Sequence, residues 1–341
     1  MRVAMFNGAG RPITIEHAPD PEPGLEDLVV RVGRCGICGS DVSLTSGGEF
    51  DFPVGCKLGH EYSGEVVELG RNVRDVKTGD HVACVPSVGC GHCSACEAGV
   101  FIFCPTVRPN FGGFGEYAAI PRRNAVVLPQ RLSPSEGALV EPMACGLNAL
   151  RHAGMRRGDR IMVLGAGTMA LALTSWARVL GSGKILVVSR SMRRREVALA
   201  MGADAVLSFE EARDGAAGEL GGLPDIVVEC VGKPGMLEEA IAHVRVTGTV
   251  VSMGLCLQRE PIVAARCGFK GLKICFPFAY SLGEFIETVK AFEAGRIRPE
   301  IMVSDVIALE DLPATIERMR AGSQSLKILV NPSLEPAHAR R

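Results

Sequence analysis

Aromatic residues are scarce, with one Trp, three Tyr and thirteen Phe making 5% of 341 residues. That argues against stacking platforms for single-stranded nucleic acid. No sign of charge dominates. Lys and Arg number 37, Asp and Glu 38, and the formal net charge is −1, so no general pull toward nucleic acid or anionic membrane is expected. The stretch MRVAMFNGAGRPITIEHAPD has no apolar core, so no secretory signal is expected. The longest uncharged run lies between Arg160 and Arg178. Gly165, Gly167, Thr168, Thr174 and Ser175 interrupt it, and it reads as a buried strand and helix, not a membrane span. The 13 cysteines are odd in number, which does not suit a disulfide framework. A reducing cytoplasm is expected, where clustered thiols usually bind metal.

Thiols are concentrated in GCGHCSACEAGVFIFC, residues 89–104. Cys90, Cys93, Cys96 and Cys104 have the spacing C-x2-C-x2-C-x7-C. Short C-x2-C turns bring two sulfurs onto one ion, and four thiolates at about 2.3 Å make a closed tetrahedral zinc site. Such a site is structural, because no position stays open for substrate. An iron–sulfur cluster also uses four thiolates and is the alternative.

A second ligand set is dispersed. CGICGSDV (35–42) and LGHEYSGEV (58–66) offer Cys38, His60 and Glu61, and LVEPMACG (139–146) offers Glu141. A thiolate, an imidazole and a carboxylate from separate segments suit a catalytic zinc with one open position. Asp41 is a candidate partner for the far nitrogen of His60, where a carboxylate fixes tautomer and orientation.

The run IMVLGAGTMALAL (161–173) places Gly165-x-Gly167-x-x-Ala170 between a strand pattern and a helix pattern. This is the dinucleotide fingerprint in its required context: a tight turn, a close pyrophosphate approach and close helix packing. Apolar runs recur at 184–189, 205–209, 225–230, 248–254 and 272–276, with helical patterns between most of them. Six strands alternating with helices predict a doubly wound parallel sheet in an α/β protein. The second strand ends at Ser189-Arg190, where an NAD site usually carries an acid, and Arg193, Arg194 and Arg195 follow. The missing carboxylate and the arginines favour the 2′-phosphate of NADP over NAD.

With these motifs in this order, and with GDHVACVP, GGFGEYAAIP and LVEPMACGLNAL beside them, nearly the whole chain resembles the zinc-containing medium-chain alcohol and polyol dehydrogenases. The resemblance implies a GroES-like, mainly β catalytic domain over 1–148 and 286–341, with a Rossmann domain inserted over 149–285. Ser133, Pro134 and Glu136 form a capping-box start near the joint, on a helix expected to carry Glu141. By resemblance, two zinc ions bind per subunit, and the subunits form a homodimer or homotetramer. Cys38 and His60 ligate the catalytic zinc, and either Glu61 or Glu141 completes the polyol-type set. Lys327 matches a basic residue that approaches the cofactor pyrophosphate. Ser40 matches the hydroxyl relay beside the substrate oxygen, which zinc polarises while hydride passes between substrate and nicotinamide.

Two positions depart from the family pattern. Ser43 stands where many members have the outer histidine of the relay, so the proton is expected to leave through water or the cofactor ribose. Phe276-Pro277-Phe278 replaces the Phe-Arg-Tyr of sorbitol-type relatives, which favours a less hydroxylated substrate. Phe50, Phe101, Phe111 and Phe114 could line the pocket or belong to the core. The expected activity is NADP-dependent interconversion of a secondary alcohol and its ketone. The alternative enzyme is an NAD(P)-dependent polyol, sugar or cyclitol dehydrogenase. A non-catalytic NADP- and zinc-binding sensor is the reading from another class, and the joint presence of Cys38, Ser40, His60 and Glu141 weighs against it.

Overall fold

Short, largely apolar runs build the central sheet of one unit. Ile161–Leu164 and Ile185–Val188 are buried at every residue, as is Ile226–Glu229, which ends on a glutamate. Strands buried on both faces belong in a parallel sheet covered by helices. The computed structural model, which describes residues 1–47, 52–323 and 325–336, has that sheet. Its six strands run in the order Ala205–Leu207, Ile185–Val188, Ile161–Leu164, Ile226–Glu229, Thr249–Ser252 and Lys273–Cys275. Every neighbouring pair is parallel. Numbered along the chain this is 3-2-1-4-5-6, the doubly wound order. Met162, Leu164, Leu186 and Val188 pack with Leu220, Leu237, Ile241 and Val250 in one core cluster. The helix Phe209–Leu220 shows why helices form where they do. Ser208 and Glu211 make a reciprocal capping box at its start, and Gly221 ends it in the left-handed conformation. This unit comprises residues 142–280 and 295–302.

The other unit comprises residues 1–141, 281–294 and 303–341. The sequence expectation had put the exchange points at 148/149 and 285/286, and had placed 295–302 with the catalytic part. The unit is built on a mainly antiparallel sheet in the order Val303–Ala308, Lys327–Asn331, Asp27–Gly36, Glu61–Leu69, His81–Cys84 and Ala125–Val127. Tyr117–Pro121 also pairs with Asp27–Gly36, and among the described residues only the Val303–Ala308 and Lys327–Asn331 pair of this sheet is parallel. Leu28, Val30, Val32, Leu58, Tyr62, Val66, Phe114 and Val330 fill its core.

One expected element is broken. The capping box at Ser133 and Glu136 forms, with Pro134 at the first helical position, but that helix stops at Ala138. Glu141 lies in the first turn of the next helix, Val140–Ala153. Pro142 gives the reason. In one continuous helix it would lack the N–H for Ala138 and its ring would clash with that carbonyl, whereas a first turn tolerates it. Among the described residues no helix is long and apolar enough to cross a membrane.

Candidate functional site

Cys38 sits at the turn where the strand Asp27–Gly36 gives way to the short helix Gly39–Ser43, as its N-cap residue. Its backbone N–H donates to Asp41 Oδ2 at 2.9 Å. That bond fixes the wholly buried Asp41, whose other oxygen lies 3.4 Å from His60 Nδ1. Neither Asp41 Oδ1 nor His60 Nδ1 has a closer partner. His60 Nε2 faces the Ser40 hydroxyl at 3.5 Å. With the proton on Nδ1, toward the carboxylate, Nε2 keeps its lone pair for a ligand. Burial disfavours the charged imidazole, but Asp41 and Cys38 more than offset it, and the proton affinity of His60 rises well above the ordinary value.

Glu61 follows His60 directly and opens the strand Glu61–Leu69. The ligand atoms of Cys38, His60 and Glu61 lie within 4.8 Å of one another. A soft thiolate, an imidazole nitrogen and one carboxylate oxygen at that separation fit a zinc ion, with room for a fourth ligand. Glu61 is 1% exposed. Lys327 Nζ donates to its two oxygens at 2.7 and 2.5 Å and to the Ile37 carbonyl at 2.9 Å. Burial lowers the affinity of Lys327 for its proton, and the Glu61 carboxylate outweighs that and raises it. Gly36 makes the space for this pair. A Cβ there would lie 2.1 Å from Glu61 Oε2 and 3.2 Å from Lys327 Cδ.

Lys327, which the resemblance associates with the cofactor pyrophosphate, directs its three N–H donors to Glu61 and the Ile37 carbonyl, at a depth where an unpaired ammonium would be costly. Glu141, the other candidate carboxylate, is near enough for its charge to help raise Lys327. Of the phenylalanines, Phe101 and Phe114 are buried. The Phe111 ring lies 5.7 Å from that of His60, and Phe52 meets Phe111 edge to face at 5.5 Å. Phe52 went unnoticed in the sequence because nothing there marks it. Phe50 lies outside the described residues. Ser43 ends the helix that starts after Cys38. Pro277 is buried, while Phe276 and Phe278 are exposed.

The four-cysteine loop forms a second cluster. Sγ atoms of Cys90, Cys93, Cys96 and Cys104 lie within 4.8 Å of one another. Cys93 caps the single turn Ser94–Glu97, and a 3-10 turn, Phe101–Phe103, leads to Cys104. Cys90 and Cys96 sulfurs are 4.0 Å apart, close to the edge of roughly 3.8 Å that 2.3 Å bonds give a tetrahedron. That spacing fits one ion. The Thr106 hydroxyl and the Cys90 N–H lower the Cys104 thiol to about 6, while the neighbouring thiols and burial push the Cys93 thiol up to about 11, as expected where close thiols cannot all ionise without a cation.

In the other unit, Gly165 takes φ +108°, a turn that a side chain would strain. Gly167 caps the helix Thr168–Val179, and Ala170 is fully buried beneath it. A Cβ on Gly167 would meet nothing closer than Arg194 Nη1 at 4.0 Å, so the space over the turn is open to a phosphate. Arg194 Nη1 donates to the Ala166 carbonyl at 3.1 Å. Ser189 and the exposed Arg190 follow the second strand directly.

Comparison with known proteins follows the same division. The family described as "Alcohol dehydrogenase GroES-like domain" matches residues 24–130, and "Zinc-binding dehydrogenase" matches residues 165–294. Sorbitol dehydrogenase of Bacillus subtilis (strain 168) is 30% identical over 348 residues, covering 98% of each chain. A solved structure of a protein from Sinorhizobium meliloti 1021, assigned as a zinc-binding dehydrogenase and bound to NADP, superposes with a TM-score of 0.89 at 31% identity. It covers 97% of this chain and 99% of that one. The 2R,3R-butanediol dehydrogenase of Bacillus subtilis superposes with a TM-score of 0.88 at 28% identity, over 97% and 99% of the two chains.

Proposed function

Because the chain belongs to the zinc-containing medium-chain alcohol and polyol dehydrogenases, we propose that it interconverts a secondary alcohol and its ketone with NADP(H). The observation that carries this reading is the convergence of Cys38, His60 and Glu61, with the Ser40 hydroxyl on the same imidazole. Cys38, His60 and one glutamate, Glu61 or Glu141, would hold the catalytic zinc, and the four-cysteine loop would hold a structural one. When bound, the catalytic zinc polarises the substrate oxygen and lowers the alcohol's pKa, and the nicotinamide carries the hydride.

The chain's own residues supply the rest. Asp41 holds the His60 ring through Nδ1. Ser40 Oγ both accepts and donates, so it can take the proton from the substrate hydroxyl and pass it outward. Ser43 is no base near neutral pH, so the proton leaves through water or the cofactor ribose. Lys327 balances the charge of Glu61. Gly165, Gly167 and Ala170 accommodate the pyrophosphate. Ser189, in place of an acid, does not repel a 2′-phosphate, and Arg190 and Arg194 can pair with one. The NADP-bound Sinorhizobium meliloti protein supports this preference.

The butanediol-acting relative and the apolar Phe276-Pro277-Phe278 segment favour a sparsely hydroxylated substrate. The sorbitol-acting relative favours the alternative, a polyol, sugar or cyclitol dehydrogenase. The test is kcat/KM with NADP+ for 2,3-butanediol against sorbitol on zinc-replete protein. A preference for butanediol of about tenfold or more, roughly 1.4 kcal/mol, supports the secondary-alcohol reading, and a preference for sorbitol replaces it with the polyol one. Absence of turnover with any alcohol would restore the sensor reading.

Two broader features complete the proposal. Phe269 is 89% exposed, and Lys273–Cys275, which ends the parallel sheet, has one strand neighbour. Such an edge with apolar surface nearby suits a homodimer or homotetramer, which light scattering would test. All thirteen cysteines are free thiols, which supports a cytoplasmic location, where disulfides are rare.

A further inference from the structure

A half-buried cation without a counter-ion stands apart from the metal ligands. The register between the strands Asp27–Gly36 and Glu61–Leu69 shifts between Val32 and Arg34. A bulge of this kind re-aims the side chain beside it. Arg34 Nη1 donates to the Gly33 carbonyl at 2.7 Å, while its Nε is buried with no partner. Burial lowers its proton affinity, and no carboxylate acts in the other direction. Arg31, three residues earlier, is already neutralised, with Glu65 Oε2 2.5 Å from its guanidinium.

Both arginines line a cavity of about 350 Å³ that also meets Ser63, Glu65, His81 and Asn331. None of Cys38, His60 or Glu61 lines it, and all its walls belong to the first unit. A water occupies about 30 Å³, so the space can take a small organic molecule. Ser63 spends its hydroxyl proton on the Pro134 carbonyl at 2.6 Å. Asn331 Oδ1 accepts the Ser333 N–H at 3.1 Å, which leaves its amide nitrogen to donate.

A half-buried guanidinium is costly unless an anion meets it, and its planar fork matches the paired oxygens of a phosphate or carboxylate. We propose that this cavity is a binding site for a small oxyanion, held chiefly by Arg34 with N–H donors from His81 and Asn331. Glu65 faces the Arg31 side and turns the anion toward Arg34.

The test measures binding to zinc-replete full-length protein by calorimetry and melting, at matched ionic strength, with sodium phosphate, sodium succinate or sodium chloride. NADP+ is kept saturating so that the dinucleotide turn is filled. Phosphate or succinate should bind saturably and raise the melting temperature, as any ligand of the folded state does, whereas chloride should not. Tighter phosphate binding identifies a phosphate ester as the natural ligand class, and tighter succinate binding identifies a carboxylate. Arg34→Met should weaken the better probe at least tenfold, raise the melting temperature in chloride and leave kcat for the alcohol unchanged. Arg34→Lys should fall between, and His81→Leu gives a second readout that does not alter the bulge. Arg194→Met should leave the effect intact. Saturable binding by neither probe, or equal binding by the wild type and Arg34→Met, overturns the proposal.

Discussion

Two sets of metal-type ligands stand in one unit and are assembled in opposite ways. The loop gathers four thiols from residues 90–104, chiefly on backbone turns, with the Thr106 hydroxyl at Cys104 and Arg123 donating to the Gly89 carbonyl. Cys38, His60 and Glu61 come from a helix cap, a loop and a strand start, and His60 and Glu61 each have a dedicated neighbour. Asp41 serves His60, Lys327 serves Glu61, and a backbone N–H of Cys38 serves Asp41. Four thiolates close together would complete a tetrahedral site by themselves, whereas three different ligands would leave a position open and rely more on neighbours that orient them.

Breaking the local set should have the largest effect on folding. Cys96→Ser should lose one zinc and markedly lower the melting temperature, because structural zinc binding is itself folding free energy. Activity should fall only as the folded fraction does, which metal analysis beside a melting curve would show. Breaking the counter-ion of the dispersed set comes next. In protein stripped of the catalytic zinc, Lys327→Met leaves Glu61 buried and unpaired, which should cost about 3–5 kcal/mol in urea unfolding. Adding Glu61→Gln should recover most of that loss, and if the double variant is no better than the single one, the pair is not what stabilises this sheet.

A smaller effect should follow from loosening orientation without removing a ligand. Asp41→Asn keeps an oxygen for the Cys38 N–H but weakens the hold on His60. Catalytic zinc affinity or kcat should fall about 10–100-fold with little change in melting temperature. The smallest effect concerns the other unit. Ser189→Asp places a carboxylate where the 2′-phosphate is proposed to sit, and the ratio of kcat/KM for NADP+ over NAD+ should drop about tenfold, or roughly 1.4 kcal/mol. An unchanged ratio would move the phosphate away from Ser189.

The same contrast explains what could be read in advance. The central strands Ile161–Leu164, Ile185–Val188 and Ile226–Glu229 were legible because both faces are buried, so each appears as an apolar run. The four-cysteine loop was legible because its chemistry is local. The pairing of Glu61 with Lys327 was not, since it joins residues 266 apart in the chain and Lys327 looks like any lysine at a strand start. The break after Ala138 was readable from Pro142 but was masked by the strong capping box before it. The bulge at Gly33 had no sequence mark beyond a glycine within a strand.

Zinc content and turnover of Cys38→Ser, measured together on the same preparation, test the division of labour most directly. The account predicts two zinc ions per subunit in the wild type. It predicts one in the variant, a melting temperature close to wild type, and kcat reduced by at least about 10³-fold, the scale set by losing a Lewis acid worth several kcal/mol. A variant that keeps two zinc ions and turns over alcohol would contradict it.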